Sequence, residues 1–438
     1  MTELAHSQQR SAGLAFGSEI ARTLFAGLAE RTADAPGVTR VSYGPGERIA
    51  FALMAEAATA WNAEIAFDVA GNQFITLAGL NRERTIYIGS HLDSVPHGGN
   101  YDGAAGVILG LALQAALARE GRRPPFDLTT LCLRAEESCW FSHSYIGSKT
   151  ALGVLEPGIL DSVRRADSGR SLADHMQEES FNPEAVRRGE SRIERTRTLA
   201  YIEPHIEQGP VLMAKDLPLA LVTGIRGSFR YRDARCIGQY SHSGATPREL
   251  RSDAVHATAD LIVAMNETWE ALERDGQDVV ITFGIVGTDP AQHSFSKVAG
   301  ETHICVDVRS QSVSTLDDVR RRLAETTGRI AAKRRVRFDL GAESGSRPAL
   351  MSRDLLGLLV RACARAGVAA HTMTSGAGHD AATFALAGIP SSMLFIRNAN
   401  GSHNPDETMA MPDFDRALAV LMAAMDEPAQ SWLRLNNP

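Results

Sequence analysis

Paired cysteines, a surplus of positive charge and any apolar run long enough to cross a bilayer are all missing from this 438-residue chain. Its five cysteines (Cys132, Cys139, Cys236, Cys305 and Cys363) are odd in number and contain no C-x-x-C pair. That excludes a disulfide framework or a thiolate zinc site as the organising element, and it points to a reducing, cytoplasmic setting. The formal net charge of −7 leaves no broad positive field, so no nucleic-acid partner is expected. The longest uncharged run, Gly103 to Ala118, falls short of the ~20 residues a membrane span needs. It also carries three glycines and Gln114, which suits a buried helix and no membrane association. The opening MTELAHSQQR has no basic stretch followed by an apolar one, so no signal peptide is expected. Low-complexity tracts and internal repeats are absent as well. The two arginine-rich patches, Arg187 to Arg197 and Arg329 to Arg337, are interleaved with acidic or apolar residues and read as solvated faces.

What is present is ordinary globular composition, 44% hydrophobic and 22% charged, with length for two to three domains at roughly 150 residues each. Helical spacing of alanine and leucine runs to about Trp61, broken by Ala35-Pro36-Gly37 and Tyr43-Gly44-Pro45-Gly46. Strands are expected at Ile65 to Val69, Phe74 to Ala78, Thr85 to Ile88 and Leu128 to Arg134, with a long apolar helix from about Asp102 to Glu120. Strands alternating with helices give an α/β class with helices on both faces of a sheet. The polar stretch from Asp161 to Thr198 reads as surface helices and loops, and Val211 to Val222 turns β-like. From Gly224 to about Arg329 the order is β, helix (Ser252 to Glu273), β (Val279 to Val286), β (Glu301 to Arg309), helix (Leu316 to Ala332). That order suits a smaller α+β, ferredoxin-like unit with its own antiparallel sheet. The strand Val336 to Leu340 and the helix Asp354 to Ala366 are expected to return to the first domain.

Polar residues gather where these strands end. His91 and Asp93 lie two apart after Thr85 to Ile88, so extended backbone aims them alike. A metal-bound histidine hands its other ring nitrogen to a carboxylate or carbonyl, and Asp93 can serve as that orienting group. Asp102 stands where a glycine loop enters the apolar helix, either as an N-cap or as a carboxylate bridging two cations. The adjacent Glu136 and Glu137 are either a solvated acidic pair or a division of labour, one binding metal and the other activating water. His205, His403 and His242 each sit in glycine-containing or proline-containing polar segments, where a lone histidine is more often structural than ligating. Gln208, Arg309, His379, Asp380 and Arg397 complete the polar candidates. Taken jointly, three histidines and two carboxylates beside glycines or strand ends suit a nitrogen/oxygen site for two divalent cations, zinc first, with manganese or cobalt also compatible.

The segments GSHLDSVPHGGNYDGAAGV, AEESCWF, YIGSKTALG, EPHIEQGP, SHSGATP, SGAGHDA and GSHNPDE, in order from about Ile88 to Glu407, resemble the M20 metallopeptidase superfamily. More narrowly they resemble its hydantoinase/carbamoylase amidases: N-carbamoyl-L-amino acid hydrolases, β-ureidopropionases and allantoate amidohydrolases. The resemblance implies that His91 and His205 bind one metal, Glu137 and His403 the other, and Asp102 bridges both. Glu136 would be the general base. Gln208 would contact substrate, Arg309 would hold its carboxylate through a bidentate pair, and His242 would stabilise the oxyanion in the partner subunit's site. It further implies a two-metal catalytic domain (1–215 plus 333–438) with a mixed sheet between helices, and an inserted lid and homodimerisation domain (216–332).

The chain departs from the pattern at two places. Cys139-Trp140-Phe141 stands where many relatives carry an arginine between the glutamate pair and the phenylalanine. Ser296 stands where several carry a substrate-binding asparagine, with His293 nearby; His379 joins these as a substrate-side residue. The expected reaction is hydrolysis of an N-carbamoyl-L-amino acid to amino acid, carbon dioxide and ammonia, with allantoate or 3-ureidopropionate as alternatives. More distant are an M20 dipeptidase or aminoacylase, against which His205 in HIEQGP speaks because the peptidases usually place a carboxylate there, and a catalytically silent binding protein, against which Glu136 speaks.

Overall fold

The computed structural model describes residues 2–436. It divides into two compact units, Met1–Gly224 with Leu350–Pro438, and Ile225–Ala349. The first is built on a nine-stranded mixed sheet. Four strands at its centre are mutually parallel, in the order Ser391–Ile396, Thr198–Ile206, Asn81–His91, Phe126–Leu133. Antiparallel strands flank them: Leu219–Ile225 on one side, Gln73–Leu77 and then Glu64–Phe67 on the other.

Alternation along the central strands separates two faces. Ile86, Ile88, Ala200, Ile202, Leu394 and Ile396 turn to one face, where they join the core formed with the helix Ala104–Arg119 and with helices Thr2–Arg31, Arg353–Ala366 and Met411–Ala424. The helix Ala104–Arg119 is apolar on every side and buried from Ala104 to Leu117, as such a pattern requires. Gly106 lets it lie against the sheet, because a Cβ there would strike the Pro204 carbonyl. Tyr201 points to the opposite face, where its ring stacks at 3.8 Å on Phe384 of the helix Asp380–Leu386. A third cluster around Tyr43, Trp140, Phe141 and Met176 packs the short helices between Ser138 and Arg187.

One central strand and one flanking strand escape a pattern-based reading. Thr198–Ile206 is wholly buried but contains Glu203-Pro204-His205, which interrupts its apolar run. Proline is excluded from central strands because it cannot donate a ladder hydrogen bond. Here the register with Asn81–His91 ends at Ile88 opposite Ile202, so Pro204 faces no strand on that side. The two strands part at this point, and the functional residues fill the space between their ends. Val211 to Val222 is not continuous strand: Val211–Lys215 is a short helix before Leu219–Ile225.

The second unit runs strand Gly227–Ile237, helix Ala254–Arg274, strands Val280–Gly287 and Glu301–Ser310, helix Val313–Arg334, strand Arg337–Asp339. Its sheet places Val280–Gly287 at one edge, then Glu301–Ser310, Gly227–Ile237 and Arg337–Asp339, all antiparallel. This is the ferredoxin-like arrangement. The strand at Arg337–Asp339, expected in the first domain, belongs to this sheet, as does Glu343–Ser346. The edges of the compact units therefore lie at 224/225 and 349/350, displaced from the sequence-based 215/216 and 332/333. Leu219–Ile225 stays with the first unit because it pairs with Ser391–Ile396.

Candidate metal centre

All four parallel strands of the first unit point their carboxyl ends at one place, where ligands bind in open α/β sheets. His91 ends Asn81–His91. Glu136 and Glu137 follow Phe126–Leu133 after a turn at Ala135, whose φ of 50° is left-handed. His205 lies at the end of Thr198–Ile206, and His403 in the loop after Ser391–Ile396. Asp102 precedes the helix Ala104–Arg119. The N-cap of that helix is Gly103, and Asp102 makes no capping bond; its carboxylate turns to the histidines instead.

Asp102 is the centre of the cluster. Its Oδ1 lies 3.2 Å from His205 Nε2 and 3.6 Å from His91 Nε2, while its Oδ2 lies 3.3 Å from His403 Nε2. His403 Nε2 is also 3.3 Å from Glu137 Oε1. Two groups with metal-ligand spacing result, His91–Asp102–His205 and Asp102–Glu137–His403, and Asp102 is common to both. Glu136 stands beside them, its Oε2 3.9 Å from His91 Nε2.

The surroundings fix which atoms face inward. His91 Nδ1 donates to the Asp93 carbonyl at 3.1 Å and His205 Nδ1 to the Ile206 carbonyl at 2.9 Å. A carbonyl only accepts, so each ring carries a hydrogen on Nδ1 and turns Nε2 inward, that of His205 lying 3.2 Å from the Gly103 amide. The buried Asp93 carboxylate accepts from the amides of Glu136 at 3.0 Å and Glu137 at 3.1 Å, and from Ser42 Oγ at 2.7 Å. One carboxylate thus sets the positions of a histidine and of both glutamates. Gly103, at φ 65°, passes so close that a Cβ would sit 2.6 Å from His91 Nε2. Left-handed backbone recurs at Gln208 (φ 62°) and His403 (φ 60°), a concentration of strain expected at functional sites.

Charge explains why such a cluster attracts cations. Burial, reinforced by Glu137 and Asp380 against the opposing His91, pushes Glu136 well above the usual carboxylate range. Burial and Asp102 bring Glu137 to about 7. Burial disfavours the His91 cation, yet Glu136, Asp93 and Asp102 hold its pKa well above the ordinary histidine value. The hydrogen bond to Asp102 lifts His403 to about 9. Acids and bases both retain protons here because buried negative charge is in excess. Asp102 Oδ1 is buried with no hydrogen-bond donor while it faces two imidazole nitrogens. An orphaned carboxylate oxygen among nitrogen and oxygen donors fits a divalent cation.

The remaining candidates fall in two places. In the first unit, Gln208 Nε2 donates to Asp102 Oδ2 at 2.8 Å. His379 is buried with its ring centroid 4.5 Å from that of His205, and burial with the His205 charge holds its pKa well below normal. Asp380 is buried behind them and raised to about 8 by burial and Glu203. Arg397 pairs with Asp413 at 2.8 Å and Asp216 at 2.6 Å, a structural role. In the second unit, Arg309 pairs with Asp307 at 2.8 Å. His242 is exposed, and its Nδ1 accepts from the amides of Gly244 and Ala245 at 3.1 Å each. Its hydrogen must then sit on Nε2, pointing a donor outward. Ser296, exposed, accepts through its carbonyl from the amide of Ser243 at 2.9 Å, next to His242. His293 is in the same loop, its Nδ1 3.0 Å from Thr288 Oγ1.

Three buried residues at the centre were not singled out by the sequence. Arg40 donates through Nε to the Leu92 carbonyl at 2.7 Å, Glu203 accepts from Ser90 Oγ at 2.8 Å, and Glu407 accepts from the Tyr101 amide at 2.8 Å. Glu407 ends the GSHNPDE segment and Glu203 opens EPHIEQGP, whereas Arg40 lies outside every such segment.

A mixed α/β sheet with nitrogen and oxygen donors at its carboxyl edge and a glutamate poised beside them defines a metal-dependent hydrolase. The chain belongs to peptidase family M20/M25/M40, whose sequence pattern matches residues 87–427. It is 31% identical over 397 residues to an N-carbamoyl-L-amino acid amidohydrolase of Geobacillus stearothermophilus, covering 90% of this chain and 94% of that one. It is 30% identical over 390 residues to an allantoate amidohydrolase of Escherichia coli (strain K12), covering 88% and 92%. Among solved structures it resembles a hydantoinase/carbamoylase family amidase from Burkholderia multivorans, with a TM-score of 0.82, 26% identity and coverage of 93% and 97%. The chain is a hydrolase acting on carbon–nitrogen bonds other than peptide bonds, in a metal-dependent family. No helix among the described residues is long and apolar enough to cross a membrane, and all five cysteines are free.

Proposed function

We propose that the chain hydrolyses the ureido bond of an N-carbamoyl-L-amino acid, releasing the amino acid, carbon dioxide and ammonia, with two divalent cations per subunit. The observation that carries this reading is the sharing of Asp102 by two ligand groups beside Glu136. The donor set favours zinc, with manganese or cobalt compatible. His91, Asp102 and His205 would hold one ion, and Asp102, Glu137 and His403 the other. Bound there, two such ions polarise a carbonyl and supply activated water.

The chain's own groups carry the proton. Glu136, buried beside His91 and ionised once cations offset the surrounding negative charge, would take it from the attacking water and return it to the leaving nitrogen. Gln208, already oriented on Asp102, offers its amide to the substrate. Arg309 binds the substrate carboxylate, which must then compete with Asp307 for the guanidinium. His242 donates from Nε2 to the oxyanion. Ser296, His293 and His379 contribute to selecting the amino-acid side chain.

The second unit serves as lid and dimerisation surface in this reading. Its edge strand Val280–Gly287 exposes Ile285 and Val286, and the helix Ala254–Arg274 exposes Val255 and Val263. An unpaired apolar edge is a ready pairing face for a second copy. Free cysteines suit a cytoplasmic setting.

The test is purified enzyme offered N-carbamoyl-L-amino acids, 3-ureidopropionate, allantoate, N-acyl amino acids and dipeptides, with ammonia and amino acid both measured. Ammonia release fastest from N-carbamoyl-L-amino acids is the expected result. Faster turnover of allantoate or 3-ureidopropionate reassigns the substrate, and amino-acid release from dipeptides alone overturns the reading.

A further inference from the structure

We infer that Glu407 is a positioning residue that builds one of the two cation positions, the one containing His403, and that the other position stands without it. The inference rests on the two-cation reading above. The two positions are made differently. His91 and His205 are buried at the ends of adjacent central strands, each with its Nδ1 held by a backbone carbonyl. His403 lies in a loop, half of its side chain is exposed, and its backbone is left-handed. Nothing in a sheet or helix holds it over Asp102.

Glu407 supplies the missing constraint. Its buried carboxylate accepts from the amides of Tyr101 at 2.8 Å and Asp102 at 3.2 Å through Oε1. Through Oε2 it accepts from Ser402 Oγ at 2.6 Å. The Ser402 hydroxyl also contacts Asp102 Oδ2, the oxygen that faces His403. One side chain therefore ties the loop that carries Asp102 to the residue beside His403. Gly99 is shaped to admit it, since a Cβ there would collide with the Glu407 carboxylate. None of these bonds reaches His91 or His205, and the first position meets them only through Asp102, whose Oδ1, the oxygen facing His91 and His205, takes no part in them.

Zinc titration of the metal-free full-length chain by calorimetry tests this. Wild type takes up two zinc ions. In Glu407→Ala and in Ser402→Ala the first ion binds with wild-type affinity, and the second binds about 10–100-fold more weakly, the usual cost of losing a group that orients a ligand. Glu407→Gln keeps an acceptor for the Tyr101 amide and falls between wild type and Glu407→Ala. Retention of the first ion reports that the variant is folded, and Ser402→Ala, which removes a single hydroxyl, decides the matter if Glu407→Ala misfolds. Two ions bound at wild-type affinity in the variants, or equal weakening of both, overturns the proposal and leaves the two-cation reading intact. Uptake of fewer than two zinc ions by wild type overturns that reading itself.

Discussion

Asp93 meets His91 twice, through its carbonyl at 3.1 Å from Nδ1 and through its carboxylate oxygen Oδ1 at 3.4 Å from the same nitrogen. The same carboxylate fixes the amides of both glutamates. Asp93→Ala is expected to lower metal affinity and activity together by about 10–100-fold, as loss of an orienting carboxylate does elsewhere. Metal content by mass spectrometry, measured beside turnover, checks it; unchanged metal content shows that Asp93 does not position His91.

Glu136 stands apart from both ligand groups, so its removal should separate chemistry from metal binding. Glu136→Gln is expected to keep the wild-type metal content and lose about 10²–10⁴-fold in turnover, the range for a positioned general base. Wild-type turnover in that variant sinks the assignment.

Removing metal with a chelator should abolish activity, and zinc, manganese or cobalt should restore it. The metal-free chain should also lose stability as pH rises. Glu137 goes from 4.5 to about 7 on folding and His403 from 6.5 to about 9, so the folded state holds more protons than the unfolded one between those values. The contribution of His403 is complete below about 6.5 and gone once pH passes about 9; the penalty from ionising Glu137 grows between about 4.5 and 7. Bound cations replace those protons, so the loaded enzyme should not show this decline. Melting temperature against pH, with chelator and with zinc, distinguishes the two curves.

His242 is proposed to act in the active site of a partner subunit, and a complementation test addresses this. Glu136→Gln and His242→Ala chains are each expected to be inactive alone and to regain part of the activity when refolded together. Mixed dimers then contain one site with both an intact Glu136 and a donated His242. Light scattering reports the dimer independently, and absence of recovery in a demonstrated mixed dimer places His242 within its own subunit or outside catalysis.

Gly103→Ala is expected to eliminate tight metal binding, because the added methyl would occupy the space of the His91 ring and force a left-handed backbone on alanine. Its far-ultraviolet circular dichroism should stay close to wild type, since the change lies at a helix start and not within the core. Normal metal binding in this variant contradicts the close packing of Gly103 on His91.

The residues at the centre were legible because chemistry marks them: histidines and acids beside glycines stand out from any helical or strand periodicity. His91, Asp102, Glu136, Glu137, His205 and His403 are readable in that way, and the sheet's class follows from the alternation around them. Thr198–Ile206 was not readable, because Glu203 and Pro204 break the apolar run and only the parting of the strands makes room for them. Arg337–Asp339 was misassigned for another reason. A three-residue β pattern carries no information about its partner, and it joined Gly227–Ile237 in place of the first sheet. Arg40 and Glu407 act through backbone groups far away in sequence, which no local pattern encodes.

Asp102 and Glu407 are 305 positions apart in the chain, and the strand that leads to His403 is the last to enter the central sheet. During synthesis the His91 and His205 ligands emerge long before the segment that completes the centre. In the proposed two-cation reading the nascent chain would hold at most one ion while the second unit is still being made. Catalytic competence would then arrive only when the segment from Leu350 onward folds back onto the first part of the same compact unit, a distant closure that is slow relative to local structure. On that reading the enzyme is silent until whole, and a chain truncated before His403 is expected to lack hydrolytic activity.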